Sequence, residues 1–213
     1  MFENAKDMRV RITFVEDVLG TAASNPELYR DYIASNAPDA PTREEQIAAI
    51  GVEKAIENAM TVFPRNASGE PLLWPYQVRG MFKSAQKSIN TIVGKKGNGY
   101  LPNYKGKVDQ LVFVKSVDSE WDGRDGGIVI HMPDGERMET CERPLRAETM
   151  QGPRVSIVRS ETCPAGSWAE FDVRCLAPEL MNYVMAWLDY GKYNGLGQWR
   201  NSSKGRFVWK EVE

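Results

Sequence analysis

Apolar and polar residues alternate from Arg9 to Val15. Val10, Ile12 and Phe14 share one side and Arg9, Arg11 and Thr13 the other, which predicts a half-buried strand. Asn25-Pro26 then reads as a helix cap followed by proline at the first helical position, predicting a short helix over 26–35. A proline-rich break follows at 36–41, and Thr42-Arg43-Glu44-Glu45 opens a second helix toward Met60. Together they make an acidic, alanine-rich helical insertion over about 22–60. Residues 61–74 read as two short strands about the turn Asn66-Ala67-Ser68-Gly69. Pro75 starts a helix over 76–93, with Val78, Phe82, Ala85, Ile89 and Ile92 at helical spacing. Strands follow at 108–117, 128–132, 154–159 and 169–175. A last helix runs from Pro178 to Tyr190 with Leu180, Val184, Trp187 and Leu188 as its buried stripe, and a strand closes at 206–211. This order predicts an α+β fold. Its sheet is antiparallel and ferredoxin/RRM-like, with packed helices, and one domain covers 1–213.

Composition narrows the function classes. With 213 residues, 42% of them hydrophobic and 10% aromatic, the chain can bury a core. Its net charge is −2, so any polyanion must meet a local basic patch. Cys141, Cys163 and Cys175 are odd in number and lack a C-x-x-C spacing, which predicts neither a disulfide framework nor a zinc site. A reducing cytoplasm is the expected compartment. No signal-peptide pattern opens the sequence, and no stretch approaches the roughly 18 apolar residues of a membrane span.

Three basic stretches stand out. Between Asp189 and Glu211 the chain has no acidic residue, while GKYNGLGQWRNSSKGRF interleaves Gly195, Gly197 and Gly205 with Trp199, Arg200, Lys204 and Arg206. Glycines let backbone N–H groups approach phosphates, cations neutralise them and aromatics stack on bases. Arg79, Lys83 and Lys87 recur every fourth residue on one face of the helix over 76–93. In the ordinary case such a face is simply solvated. The segment 94–107, GKKGNGYLPNYKGK, carries Lys95, Lys96, Lys105 and Lys107 with Tyr100 and Tyr104 and no acid. It reads as a flexible loop, either solvated or clamping a polyanion.

Four segments in this order resemble the RAMP superfamily, the RNA-binding subunits of CRISPR effector complexes. RVRITFVEDVLGTA resembles their first strand and the glycine after it, and LWPYQVRGMFKSA the segment that starts their first helix. SETCPAGSWAEFDV resembles the hairpin preceding the final helix, and GLGQWRNSSKGRF, after Glu179–Tyr190, resembles their glycine-rich loop. Pro75-Tyr76-Gln77 departs from the family's Pro-Gly-Ser-Ser, the insertion at 22–60 has no counterpart, and the chain is short for a backbone subunit. That shortness suggests a stand-alone relative, for example a phage-encoded one, working outside such a complex or against it. The resemblance implies single-stranded nucleic acid, RNA above all, as ligand. Gly195, Gly197 and Gly205 would then approach the backbone, Arg200 and Lys204 would contact phosphates, and Trp199 would stack. It also implies assembly with further copies or with CRISPR effector subunits. Mimicry or inhibition of such a complex, without nucleic acid, is the alternative.

No catalytic constellation is evident. The only histidine, His131, sits in the strand IVIHM, where spacing gives it neither a second histidine nor a cysteine partner. Some RAMP proteins are ribonucleases with a catalytic histidine, so His131 is the one candidate for that role. The carboxylates in DSEWDGRDGG lack the closing glutamate of a calcium loop. No metal and no cofactor is expected.

Overall fold

Strand β1 (Lys6–Phe14) sits between two neighbours, β10 (Trp168–Cys175) and β11 (Phe207–Val212), both antiparallel to it. The computed structural model describes residues 4–23, 60–123, 126–149 and 152–213, and the chain divides into two compact units. The first unit comprises Met1–Val18, Pro64–Arg137 and Cys163–Glu213. On the far side of β10 lie β6 (Val112–Ser116), along Phe171–Cys175, and β7 (Ile128–His131), along Trp168–Ala169; β5 (Leu72–Leu73) pairs with β7. Helix α1 (Pro75–Val93) follows β5, α2 (Tyr104–Leu111) leads into β6, and α3 (Met181–Tyr190) leads toward β11. The succession β1-α1-β6-β10-α3-β11, with strands ordered β11-β1-β10-β6, is a ferredoxin-like split βαβ arrangement with an antiparallel sheet. The α+β class read from the sequence is the class observed.

Alternation builds the core. Met8, Val10, Ile12 and Phe14 on β1, and Ala169, Phe171, Val173 and Cys175 on β10, are all buried. Val78, Met81, Phe82 and Ala85 of α1 and Met181, Val184, Trp187 and Leu188 of α3 are buried with them. The Phe82 and Trp187 rings lie 5.3 Å apart, and burying each contributes about 2–3 kcal/mol. Fully buried Gln86 accepts from Trp187 Nε1 at 2.6 Å and donates to Asn90 Oδ1 and to the Gly99 carbonyl. Asn90 exchanges two hydrogen bonds with the Leu101 backbone. The basic loop after α1 is thus tethered to the helix it leaves.

Two elements depart from the sequence reading most. Residues 104–111, read as loop and strand, form α2. Tyr104, Val108 and Leu111 have helical spacing, and the alternating run Val112, Val114, Ser116 begins only afterwards. The strand β8 (Glu139–Thr149) was not anticipated, because Arg143-Pro144 interrupts its apolar pattern.

The second unit comprises Leu19–Phe63 and Met138–Thr162. Strand β2 (Val18–Leu19) spans the sequence boundary between the units. A long antiparallel hairpin joins β8 to β9 (Gly152–Cys163), from Glu139↔Thr162 to Thr149↔Gly152. Strand β4 (Thr61–Val62) runs parallel to β9 at Thr61↔Ser160 and pairs with β3 (Ala22–Ala23). Thr61 Oγ1 donates to the buried Ser160 Oγ at 2.7 Å. The predicted helical insertion falls almost wholly on 24–59, outside the described residues.

Candidate nucleic-acid interface

Helix α3 ends at Gly191, and the chain returns to the sheet at Phe207. The loop between them is closed by its own backbone. Leu196 donates to the Gly205 carbonyl at 2.9 Å, and a Cβ on Gly195 would stand 1.7 Å from that same oxygen. A Cβ on Gly205 would meet the Leu196 carbonyl at 1.8 Å, and Gly205 has φ = +72°. Gly195 and Gly205 therefore serve the mutual approach of the two loop strands. Buried Leu196 plugs the loop against the core.

The tip carries the chemistry. Gly197, Trp199 and Ser203 all have positive φ. For a tryptophan that conformation is rare and costs on the order of 1 kcal/mol, and strain of this kind concentrates at functional sites. The tip surrounds an open recess of about 750 Å³ lined by Tyr193, Asn194, Gly197, Gln198, Trp199, Arg200, Asn201 and Ser203. Tyr193 is 76% exposed. Arg200 has no ion-pair partner among the described residues. The recess thus offers aromatic rings, carboxamides that both donate and accept, and one guanidinium. Of the predicted residues it brings together Gly197, Trp199 and Arg200.

Lys204 is placed differently. Because β11 lies beside β1, with Phe14 opposite Phe207, the residues leaving β1 meet those entering β11. Those leaving β1 are Glu16 and Asp17. Lys204 Nζ pairs with Asp17 Oδ2 at 2.5 Å, and Arg206 with Glu16 Oε1 at 2.9 Å. Asp17 also accepts from Gly205 N through its carbonyl and from Ala165 N through Oδ1. A stretch free of acids in sequence is, in space, largely neutralised. Asp189 likewise takes Lys192 and the Trp209 indole N–H. The amide residues of the recess and the acids of β1's exit escaped the sequence reading. The strand order β11-β1 was the signal that could have found the acids.

The other predicted cations form separate groups, and none lines the recess. On α1, Lys83 pairs with Asp109 of α2 at 2.7 Å, while Lys87 is exposed and Arg79 half-buried. Lys95 and Lys96 are exposed in the tethered loop. Tyr100 and Lys105 line a second hollow, of about 200 Å³, with Asn90, Leu101, Asn103 and Tyr104.

The open face of the sheet is a ladder of paired charges. Arg9 and Lys115 share Asp172, at 2.7 and 2.8 Å, Arg11 pairs with Glu170, and Arg174 with Asp7. Burial works to raise the Asp172 pKa, but hydrogen bonds from Arg9 and Lys115 outweigh it and hold the carboxyl below its ordinary range. Trp168 carries His131 stacked at 4.1 Å and the Arg11 guanidinium at 4.2 Å. These two come from strands on opposite sides of β10, so both faces of the indole are occupied. Among the described residues no group of three His, Cys, Asp or Glu side chains could hold a metal ion. No described helix is long and apolar enough to cross a membrane.

No family model matches the chain, and no curated protein does. Solved structures align with the chain at low identity. A chain of the cryo-EM structure of the Type III-B Cmr-beta bound to cognate target RNA is 9% identical with a TM-score of 0.47, over 98% of this chain. This chain spans 59% of that chain's length. A chain of a Type IV-B CRISPR complex is 10% identical with a TM-score of 0.46, over 97% of this chain and 90% of the other. The crystal structure of Cmr6 from Pyrococcus furiosus is 10% identical with a TM-score of 0.42, over the whole of both.

Proposed function

We propose that this chain is a non-catalytic binder of single-stranded nucleic acid, RNA in preference, and that the glycine-rich loop after α3 is its contact surface. The observation that carries the reading is the recess at the loop tip, which sets the aromatic rings of Tyr193 and Trp199 beside Arg200 and three carboxamides. Stacking on such rings contributes about 1–3 kcal/mol per base and tolerates any sequence. The exposed Lys87, Lys95, Lys96 and Lys105 would add a diffuse, salt-sensitive attraction along the strand. The resemblance to RAMP proteins extends the reading to a CRISPR-associated role, with copies set side by side on one RNA or seated among effector subunits.

A second reading, a protein-interaction module that mimics or inhibits such a complex, is favoured by the neutralised ladder on the open sheet face. The two readings part on the purified protein. A binder carries nuclease-sensitive ultraviolet absorbance at the nucleic-acid maximum, runs as an assembly larger than one chain, and retards a labelled single-stranded RNA. A protein that purifies free of nucleic acid and leaves that RNA unretarded at low salt refutes the first reading and leaves the second.

A further inference from the structure

We propose that the recess takes a single unpaired nucleotide, its base among the rings and carboxamides and one phosphate on Arg200, and that Glu16 and Asp17 restrict the loop to that one phosphate. This inference rests on the reading of the loop as a nucleic-acid site and specifies what the site accepts.

The argument is one of charge and position. Of the loop cations Arg200, Lys204 and Arg206, two are held by carboxylates that the fold places there, at 2.5 and 2.9 Å. Both pairs are half-exposed, so each bond alone is weak and a phosphate could draw the lysine away. The carboxylate would nevertheless remain beside the phosphate. The net neutralisation from a Lys–Asp pair is close to nil, and no counterion is released on its account. Arg200, on the recess wall and unpaired among the described residues, is the loop cation that delivers a full positive charge. Its planar fork suits a phosphate in two-point contact.

The acids also position the loop. Asp17 holds Lys204 by its side chain, Gly205 by its carbonyl and the turn at Ala165 by its second carboxylate oxygen. It therefore joins the exit of β1, the turn before β10 and the loop before β11, and sets the base of the recess. Asn194, Gln198 and Asn201 stand on the walls. A carboxamide presents a donor and an acceptor side by side, the pattern that pairs with a base edge. One nucleotide of a bound strand is thus read at its base edge while its neighbours pass with little charge contact at this loop.

The test compares salt dependence across variants that each neutralise one charge. The probe is a fluorescein-labelled single-stranded RNA of about ten nucleotides, an ordinary site size for one small domain. Binding is followed by anisotropy over a salt series. Each phosphate neutralised on a single strand adds about 0.7 to the slope of log affinity against log salt. Arg200→Gln is expected to lower the slope by about that amount and weaken binding about tenfold at low salt, as loss of one charge-assisted contact does. Lys204→Gln should change the slope far less. Asp17→Asn, which keeps the acceptor for Ala165 N, should steepen it by about 0.7 and tighten binding, because it removes a negative charge that stands beside the phosphate. Glu16→Gln should do the same beside Arg206 and decides the matter should Asp17→Asn fail to fold. Equal losses of slope in Arg200→Gln and Lys204→Gln, or no gain in either acid variant, would overturn the inference while leaving the loop a binding site. Absence of any anisotropy change with the wild-type protein at low salt would refute the underlying reading itself.

Discussion

Asp172 shows how a single side chain can carry both the charge order of the sheet face and its pH response. It accepts from Arg9 and from Lys115, whose side chain is only 8% exposed. Its folded pKa lies below the ordinary value near 4, so its contribution is complete above that value. The contribution declines as pH falls below about 4 and is gone once pH passes the lowered folded value. Asp172→Asn should cost about 2–3 kcal/mol at neutral pH by leaving Lys115 buried without its counter-charge, and should flatten the acid limb of the stability curve. Denaturant unfolding across that range checks both effects. An acid limb unchanged in the variant would place the response elsewhere. Gly195 offers a second test at this scale. A methyl group there meets the Gly205 carbonyl at 1.7 Å, so Gly195→Ala must part the two loop strands. A loss of about 2 kcal/mol is expected in thermal unfolding, with RNA affinity lost alongside it. A variant as stable as wild type would show that the loop closes in another way.

Among the elements, α1 and the loop it releases act as one piece. Asn90 accepts from Leu101 N and donates to Leu101 O, while Gln86 holds the Gly99 carbonyl and the Trp187 indole. Asn90→Ala is expected to raise hydrogen exchange at the Leu101 amide by about one order of magnitude or more, with the α1 core protected as before, since one hydrogen bond contributes roughly 1 kcal/mol. Unchanged exchange at Leu101 would mean that the backbone turns alone fix the loop. Sequence patterning located β1, α1, β7, β10, α3 and β11 because each has a clear period of two or of 3.6. It misplaced α2, whose three apolar residues are too few to separate from the strand that follows. It passed over β8, where charged residues and a proline hide the alternation. The candidate site divides in the same way. Arg200 and Trp199 stand out locally, whereas the pairing of Lys204 with Asp17, 187 residues apart in sequence, depends on the strands beside them becoming neighbours.

Taken as a whole molecule, the chain is acidic and carries its cations in two conditions. Those of the sheet face and of the loop base are matched by carboxylates. Arg200 and the exposed lysines of α1 and the 94–105 segment are not matched among the described residues. A protein so arranged should hold nucleic acid through a few specific contacts supplemented by weak attraction, and its affinity should fall with salt less steeply than that of a uniformly basic binder. The most direct test is amide hydrogen exchange on the full chain with and without a saturating single-stranded RNA. Protection centred on residues 193–203, with lesser change along 94–105, is the predicted result. Bound RNA that leaves 193–203 unprotected, with protection confined to other segments, would contradict the assignment of the glycine-rich loop as the nucleic-acid site.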